Sequence, residues 1–522
     1  MEDTLIKELK KEHEDYLRDE SRKIGKADSI SFPKTEEEII STLKKLKENK
    51  TPITIQGART GIAGGAIPQG GHILNLMKIN KITGMRYDKQ TDTFYLKLQP
   101  GVLLTEIRKA LKDKEFETSN WTKESLEALK LFKNSSPYFF SPDPTESTAS
   151  IGGMAACNAS GACSFKYGPT RNYIEALRVT LVNGDTLTLK RGEQNTLVRH
   201  FSLKTDNGEL LEGNIPNYTM PEVKNASGYY TKENMDLLDL FISSEGTLGI
   251  ITELEIKLLK SPAYIWGLTA FFSSEDKALK FVEKIRVESF PVAIEFFNNT
   301  ALNLLRKEKE NNKAFNKLLD MPTRFNTAIY IEYHGNNEGE IRNMIFNAGN
   351  IIKQCGGSED DTWVATNPGA REQLHFFRHA LPEAVNLLID EKRKTNPNIT
   401  KLGTDMAVPD SKLEEVMELY NESLKKGKLK YVIFGHIGNN HVHVNILPNN
   451  LDEYNRGKQL YSTWAEKVIT MGGTISAEHG VGKLKINLLQ QMFGKKSIEE
   501  MKTLKRLFDP ENRLNMGNLF EW

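Results

Sequence analysis

The feature that most constrains the fold is a set of three glycine-rich stretches, each beside a predicted strand. The first, Gln56 to Gly65, has four glycines and two alanines in ten residues and follows a β-favouring run from Pro52 to Gln56. The second spans Ser141 to Arg171, and the third spans Ser243 to Thr252. Backbone amides in such loops can point at a phosphate, and the bare backbone can approach a flat ring closely. Although the fingerprint G-x-G-x-x-G is absent, the three loops together predict a long ligand such as a dinucleotide.

The length and net charge of the chain limit which classes of function are possible. At about 150 residues per domain, the 522 residues correspond to two to four units. The 70 basic and 69 acidic residues leave a net charge of +1, so no global field attracts nucleic acid or an anionic membrane. Cys157, Cys163 and Cys355 form no Cys-x-x-Cys pair, which argues against a metal cluster held by cysteines and suits a reducing cytoplasm. Because no run approaches about 18 apolar residues, we expect a cytoplasmic protein, free or peripheral to the membrane, without a membrane span.

Helix- and strand-like patterns alternate along the chain, which predicts an α+β protein. The first 32 residues read as a charged helical extension, and Pro33 precedes a helix with a threonine cap, an acidic first turn and a basic end. Other predicted strands are Thr93 to Leu98, Ala176 to Val182 and Ile250 to Leu258, and other predicted helices are Leu104 to Leu111, Asp276 to Val287, Glu338 to Lys353 and Leu413 to Lys425. We predict three parts, which are 1–260 with the helical extension 1–32, 261–485, and a C-terminal segment 486–522 that packs back onto the first part.

The glycine-rich loops belong to a larger set of motifs. These are the loop from Gln56 to Pro68, PDPTE through KYGPTR, KNASGY, SEGTLGIIT, GHIGNNHVHVN, SAEHGVGKLK and DPENRLNMG. Together they resemble the vanillyl-alcohol oxidase superfamily, with its PCMH-type FAD-binding domain, and specifically the D-lactate, glycolate and D-2-hydroxyglutarate dehydrogenase branch. The resemblance implies a two-subdomain FAD-binding domain, an α+β cap domain over the substrate and a C-terminal tail that returns to the FAD domain. It also implies an FAD-dependent dehydrogenase that oxidises a D-2-hydroxy acid to its 2-oxo acid.

The resemblance assigns FAD contacts to the loops and the tail. The residues expected to bind FAD are Gln56, Gly57, Ala58, Thr60, Gly61, Gly64, Gly65, Pro142, Thr145, Ser150, Ile151, Gly152, Asn158, Ala159, Gly161, Gly168, Glu245, Gly249, Ile250 and Asn515. The family usually has arginine where Gln56 stands and glycine where Arg59 stands, so one positive charge is displaced along the loop. Relatives that bind flavin covalently here have histidine at the place of Thr60, and a threonine hydroxyl cannot form that bond. We therefore expect non-covalent FAD.

A predicted hairpin carries candidate metal ligands. β-favouring runs flank a short glycine–asparagine turn, and pairing Ile437 with Val442 sets His436 opposite His443. Opposed side chains have Cβ atoms about 5 Å apart, so the two imidazoles can share one metal ion. Alternation adds two residues to the same face, His441 and Asn445. Histidines on a hairpin are more often surface or core residues, so this pattern alone favours the simpler interpretation.

The segment SAEHGVGK presents Glu478 and His479 together on a glycine-bracketed loop. In the resembled family this motif supplies the third metal ligand and the catalytic base, so the resemblance implies a metal site of His436, His443 and Glu478, with His479 as the base. Two imidazoles and a carboxylate suit zinc, iron or manganese. A divalent metal chelated by a hydroxy acid lowers the pKa of the hydroxyl, and His479 would take that proton while C2 delivers hydride to flavin N5.

The resemblance assigns the substrate carboxylate to Arg378, whose planar guanidinium suits it. Without the resemblance, Arg378 would be interpreted as a surface helix residue in a salt bridge. The 2-hydroxyglutarate branch usually has polar residues where this chain has Gly403 and Pro382, so a second carboxylate is less well served and D-lactate is favoured. Asn445 and Lys401 are the other predicted substrate contacts.

Several alternatives stay open at this point. Glycolate or D-2-hydroxyglutarate could be the substrate, and the electron acceptor could be a quinone, an electron-transferring flavoprotein or a partner subunit. A different class of function is a flavin-carrying electron-transfer subunit of a larger complex with a vestigial substrate site. The intact set of histidines, Glu478 and Arg378 argues against that loss of catalysis.

Overall fold

The N-terminal lobe, from β1 to β13, is built on two main sheets in a computed structural model that describes residues 5–522. Its strands are β1 Lys7–Glu8, β2 Ser29–Ser31, β3 Ile53–Gln56, β4 His72–Asn75, β5 Ile82–Asp88, β6 Thr93–Leu98, β7 Tyr138–Phe139, β8 Ile174–Thr180, β9 Thr186–Lys190, β10 His200–Lys204, β11 Leu210–Asn214, β12 Ile250–Lys257 and β13 Leu259–Lys260. Its helices are α1 Glu36–Lys47, α2 Leu104–Asp113, α3 Lys123–Asn134, α4 Ile151–Cys157, α5 Ser164–Tyr167 and α6 Leu238–Phe241. The sheet orders are β1-β2-β4-β3 and β5-β6-β12-β8-β9.

The first sheet joins the start of the lobe to the end of the chain. Helix α1 begins after Thr35, whose hydroxyl accepts a hydrogen bond from the Glu38 amide at 3.3 Å, as the predicted cap requires. The C-terminal tail adds to the outer edge of β3, where Leu514 bridges Ile53 in parallel and the Ile53 amide donates to the Arg513 carbonyl at 2.7 Å. The predicted return of the tail to this lobe is therefore confirmed.

The N-terminal segment corrects one prediction. It is not the helical extension that its charge pattern indicates, because β1 pairs antiparallel with β2, with Lys7 opposite Ile30. Only Lys11–Leu17 is helical, as a short 3₁₀ helix. Residues 1–4 of that prediction lie outside the described residues. Pairing with a strand of an existing sheet satisfies the backbone here, whereas an isolated short helix is marginal in water.

The second sheet is antiparallel and agrees closely with the predicted strands. The strand β6 has the predicted bounds, and β8 and β12 differ from the predictions by one or two residues at their ends. The strand β12 lies at the centre between β6 and β8. It continues directly from the third glycine-rich loop, so the sheet holds that loop in place.

The cap consists of β14 to α12 and is built on one seven-stranded antiparallel sheet with the order β17-β14-β16-β15-β19-β20-β18. Its strands are β14 Tyr264–Phe272, β15 Ala293–Phe297, β16 Thr327–Gly335, β17 Thr362–Ala365, β18 Leu402–Gly403, β19 Tyr431–His436 and β20 His441–Ile446. Its helices are α7 Glu275–Glu288, α8 Asn299–Asn311, α9 Glu338–Gln354, α10 Pro368–Thr395, α11 Leu413–Gly427 and α12 Leu451–Thr470, and the last helix of the chain is α13 Ile486–Phe508, interrupted at Gly494. The predicted α+β class is confirmed. The exact boundaries at 260 and 485 stay a prediction.

The two faces of the cap sheet differ in what they bury. Val442, Val444 and Ile446 of β20 join the larger hydrophobic core on one face. On the other face the sheet packs against α8 and α10, where the rings of Phe297 and Phe377 lie 4.7 Å apart between centroids. Because side chains alternate along a strand, the polar residues of β20 lie on the α10 face.

None of the helices within residues 5–522 is both long and apolar enough to cross a membrane.

Candidate active site

The hairpin of β19 and β20 gathers three histidines on one face of the cap sheet. His436 stands directly opposite His441, and His443 follows two residues later. The predicted pairing of Ile437 with Val442 is wrong by two positions, because the four-residue turn is Ile437–Asn440, one residue earlier than that pairing requires, and ends in a left-handed conformation. A shift of two keeps every side chain on its predicted face. The histidines therefore still converge, with His441 included.

Glu478 brings a carboxylate to these imidazoles from the loop after α12. Its Oε1 lies 3.3 Å from Nε2 of His436 and 3.5 Å from Nε2 of His443. Its Oε2 lies 4.0 Å from Nδ1 of His441. The four potential ligand atoms lie within 4.8 Å of one another, a spacing that one metal ion can bridge. We call these four residues the His/Glu cluster.

Two of the imidazoles are held by acceptors on their outer nitrogens. Nδ1 of His436 lies 2.7 Å from Oε1 of Glu295, and Nδ1 of His443 lies 2.9 Å from the Thr404 carbonyl. Each ring therefore directs Nε2 towards Glu478. Metal-bound histidines are commonly oriented in this way, so the donor set and its surroundings fit a divalent cation.

Charge pairing holds the His/Glu cluster together in the protein alone. Burial opposes the charge on His436, but the carboxylates of Glu295 and Glu478 outweigh burial and raise its pKa to about 9. Lys224 donates to Oε2 of Glu478 at 2.6 Å, and despite burial Lys224 and His436 hold the pKa of Glu478 well below its usual range. Burial, followed by His443, lowers the pKa of His441 to about 3. A cation that binds here displaces a proton from His436.

His479 lies at the edge of the cluster with a carboxylate behind it. Its Nε2 is 3.4 Å from Oε1 of Glu478, and its Nδ1 is 3.4 Å from Oδ1 of Asp405. Oδ2 of the buried Asp405 accepts hydrogen bonds from Ser476 Oγ and Lys485 Nζ, both at 2.6 Å, and from the His479 amide at 3.1 Å. Asp405 therefore holds the backbone of His479 by a hydrogen bond and places a carboxylate close to its ring, as behind the histidine of a general base.

Arg378 approaches the cluster from α10. Its Nε lies 3.4 Å from Oε2 of Glu295, while Oε1 of the same carboxylate bonds His436. Burial disfavours the charge of the guanidinium, but Glu295 and Asp143 outweigh burial and raise the pKa of Arg378. Only one carboxylate therefore separates the guanidinium from the cluster.

A cavity of about 900 Å³ lies between the N-terminal lobe and the cap, and neither the His/Glu cluster nor His479 nor Arg378 is among the residues that line it. Phe165 and Lys224 of the lobe line it, with Asn439 of the hairpin turn and Phe493 of α13. Lys224, which also donates to Glu478, connects this cavity with the His/Glu cluster.

The three glycine-rich loops meet in the N-terminal lobe. The Ala58 amide donates to Ser150 Oγ at 3.3 Å, and a Cβ on Gly57 would lie only 2.3 Å from that oxygen. The Glu245 amide donates at 2.9 Å to a carbonyl of α4, which starts at the second loop. Among the described residues, nothing lies within 4 Å of a Cβ built on Gly61. The loop therefore offers open backbone there, as a phosphate site requires.

The other predicted FAD residues lie around these loops. Those in or beside α4, α5 and β12 are Ile151, Gly152, Asn158, Ala159, Gly161, Gly168, Gly249 and Ile250. Gly64 and Gly65 end the first loop, and Pro142 and the exposed Thr145 follow β7. The carboxylate of Glu245 accepts the amides of Val481 at 2.6 Å and Gly482 at 2.8 Å, and the Asn515 side chain donates to the Glu245 carbonyl at 2.6 Å. Glu245 thus joins the third glycine-rich loop to the segment SAEHGVGK, which contains His479, and to the C-terminal tail.

Gln56 and Arg59, where the chain departs from the resembled family, both contact the N-terminal segment. Gln56 Nε2 donates to the carbonyls of Tyr16 at 2.7 Å and Ala66 at 2.8 Å. Arg59 adopts a left-handed φ of 62°, lies 4.4 Å from the centre of the Tyr16 ring and donates to the Asp15 carbonyl. The displaced charge therefore anchors the N-terminal segment.

Asn445 and Lys401 differ in their relation to the cluster. Asn445 is buried two residues after His443 and on the same face of β20. Lys401 instead donates to Oδ1 of Asn386 at 2.9 Å. Asn386 lies eight positions beyond Arg378 along α10, about 12 Å of helix. Lys401 is therefore not brought to Arg378.

Three charged residues that the sequence reasoning did not assign complete the site: Lys224, Glu295 and Asp405. Lys224 opens the KNASGY motif, and Asp405 lies two residues after Gly403. Glu295 gave one signal, a single carboxylate inside the apolar strand AIEFF. A buried charge in such a strand needs a partner, and here it has two.

Comparison with known proteins agrees with this architecture. Residues 27–122 and 124–190 match a family described as "FAD binding domain", and residues 262–519 match "FAD linked oxidases, C-terminal domain". Among solved structures, p-cresol methylhydroxylase is similar with a TM-score of 0.67 at 15% identity, covering 99% of this chain and 94% of that one. An alkyldihydroxyacetonephosphate synthase is similar with a TM-score of 0.63 at 17% identity, covering 99% of this chain and 82% of that one.

Curated relatives align over nearly the full length. A D-lactate dehydrogenase of Anaerostipes hadrus is 30% identical over 97% of this chain and 93% of its own. The glycolate oxidase subunit GlcD of Bacillus subtilis is 29% identical over 94% of this chain and 89% of its own. A D-2-hydroxyglutarate dehydrogenase of Stutzerimonas stutzeri is 25% identical over 97% of this chain and 94% of its own. The chain therefore belongs to the FAD-linked oxidoreductase family of the D-lactate, glycolate and D-2-hydroxyglutarate dehydrogenase type, within the PCMH/vanillyl-alcohol oxidase fold.

Proposed function

We propose that this protein oxidises a small D-2-hydroxy monocarboxylic acid, with D-lactate favoured, to the 2-oxo acid, using non-covalent FAD and a divalent metal. The observation that carries the proposal is the double use of Glu295, which contacts Arg378 at 3.4 Å and His436 at 2.7 Å. This puts a carboxylate-binding guanidinium one side chain away from a metal-type cluster. A 2-hydroxy acid has its carboxylate and hydroxyl on adjacent carbons, so its two polar groups suit that spacing.

The residues have separate tasks in this proposal. Arg378 binds the substrate carboxylate, and Asn445 lines the same face as the cluster. His436, His443 and Glu478 hold the metal. His479 accepts the hydroxyl proton at Nε2, while Asp405 behind Nδ1 keeps the ring oriented and stabilises the imidazolium. When bound, FAD supplies the acceptor for the C2 hydride, and the metal supplies a Lewis acid that makes the hydroxyl more acidic.

The preference for a monocarboxylate rests on charge around Arg378. Gly403, which pairs with Asn445, and Pro382, one turn beyond Arg378 in α10, add no side-chain donor there. Lys401, the predicted cationic substrate contact, instead donates to Asn386 at 2.9 Å. A buried unpaired charge costs several kcal/mol, enough for a large rate difference between substrates.

An anaerobic stopped-flow screen tests the proposal by following flavin bleaching with D-lactate, L-lactate, glycolate and D-2-hydroxyglutarate. We expect D-lactate to bleach the flavin fastest and D-2-hydroxyglutarate far more slowly. Equal or faster bleaching by D-2-hydroxyglutarate would overturn the monocarboxylate preference. No bleaching by any of the four acids would overturn the proposed dehydrogenase activity.

A further inference from the structure

His441 is the member of the His/Glu cluster with no task in the proposed function. It is fully buried, with 0% of its surface exposed. Its Nε2 lies 3.0 Å from Oδ1 of Asp405 but off the direction of a good hydrogen bond, and within the described part of the chain its Nδ1 has no hydrogen-bond partner. Buried polar atoms are nearly always paired, so a ring nitrogen left without a partner needs a reason.

The orientation of His441 matches that of its neighbours. As in His436 and His443, one ring nitrogen lies next to an acceptor, here Asp405, and the other points towards Glu478, here at 4.0 Å. The His441 ring centroid is 5.4 Å from that of His436 and 4.5 Å from that of His443. The unpaired nitrogen is therefore directed at the point where the other two imidazoles and the carboxylate converge.

We propose that His441 is a fourth protein ligand, so that three imidazoles and one carboxylate bind the metal. This inference rests on the proposed function and deepens it, because it fixes the coordination number. A hydroxy acid that chelates through two oxygens brings the total to six. Six ligands suit an octahedral ion such as Mn²⁺ or Fe²⁺, whereas catalytic zinc usually has three protein ligands in a tetrahedral site.

The simpler explanation is a neutral core histidine that only packs against Asp405. In that case the ring should donate a well-formed hydrogen bond to the carboxylate, and its second nitrogen should face apolar atoms or a donor. Instead it faces Glu478 and two imidazoles. The packing role also predicts that replacing the ring changes stability but not metal affinity.

The test compares His441→Asn with the matched control His334→Asn, using Co²⁺ alone and Mn²⁺ alone as probes. His334 lies on the same sheet and also binds a carboxylate, Glu332 at 3.0 Å, but lies outside the cluster. Competition with a chromophoric chelator measures affinity, and the visible spectrum of the Co²⁺ protein reports coordination. We expect His441→Asn to weaken metal binding by at least about 10-fold and to change the visible spectrum of the Co²⁺ protein, because loss of a residue that only supports a ligand already weakens metal binding by about 10-fold or more. We expect the control to change neither.

Two further results make the outcome decisive. Metal-edge X-ray absorption of the wild-type Mn²⁺ protein counts imidazoles without any substitution: three support the proposal and two overturn it. Unchanged affinity and spectrum in His441→Asn, together with loss of metal in His443→Ala, would overturn the role of His441 and leave the proposed function intact. A wild-type protein that binds neither ion would overturn the metal in the proposed function as well.

Discussion

Asp405→Asn should lower both the unfolding free energy of the protein and its rate of flavin reduction. Asparagine keeps the shape of the side chain but loses the charge that pairs with Lys485 at 2.6 Å and lies 3.4 Å from His479 Nδ1. Lys485 is only 13% exposed, so it would be left as a largely buried unpaired cation. Breaking a buried pair in this way costs about 3–5 kcal/mol of unfolding free energy.

The effect on rate follows from the second contact. A carboxylate behind a catalytic histidine sets its tautomer and stabilises its protonated form, and asparagine in that place lowers kcat by about 10⁴ in serine proteases. Here the distance of 3.4 Å is longer than an ideal hydrogen bond, so we expect flavin reduction by D-lactate to slow by roughly 10² to 10⁴. Reduction by dithionite should be unchanged, because it does not use His479.

The assay is anaerobic flavin reduction together with denaturant unfolding. The matched variant is Asp405→Asn/Lys485→Met, which removes the unpaired cation as well. We expect the double variant to recover most of the unfolding free energy but none of the rate. If Asp405→Asn reduces its flavin within about 3-fold of wild type, far below a general-base contribution, the positioning role of Asp405 is refuted.

Three further predictions concern the cofactor, the base and pH. Acid precipitation should release FAD into the supernatant, because Thr60 cannot form a covalent link, and flavin retained on the pellet would contradict this. Elemental analysis should show that His479→Ala keeps its metal, and this variant should still bind D-lactate while flavin reduction slows by roughly 10² to 10⁴. His443→Ala should lose metal. The reverse pattern would make His479 a metal ligand. Burial lowers the pKa of His72, between Ser29 and Ser31, to about 4. The pKa of histidine in the unfolded chain is about 6.5, so the unfolded chain binds more protons than the folded protein between pH 6.5 and 4. The free energy of unfolding should therefore fall by up to roughly 3 kcal/mol as the pH drops through that window. The dependence of the unfolding free energy on pH should be weaker in His72→Asn.

The parts of the fold that depend on local pattern were predictable. The first glycine-rich stretch follows β3 as the predicted loop, since glycine density and strand propensity are local properties, whereas the second contains the short helices α4 and α5. The N-terminal segment was assigned wrongly because its charge pattern suits a helix, while its conformation depends on pairing with β2, a partner about twenty residues away. Local pattern carries no information about such a partner.

The site was predictable only as far as its motifs extended. Alternation put His441 on the right face, yet its position opposite His436 depends on where the four-residue turn begins, which composition did not reveal. Asp405 and Glu295 meet the histidines from other strands and loops, and pairwise contacts over such distances cannot be derived from spacing. Lys401 shows the converse, because a lysine close in sequence to Asp405 is bound to Asn386 instead.

The most direct test of the account is flavin reduction by D-lactate in one preparation before metal removal, after chelation, and after Mn²⁺ is restored. We expect chelation to slow flavin bleaching by at least about 10²-fold, since the hydroxyl loses its Lewis acid, and we expect Mn²⁺ to restore the rate. Reduction by dithionite should stay constant throughout, which shows that the flavin remains reducible. Bleaching by D-lactate at the same rate with and without metal would contradict the account.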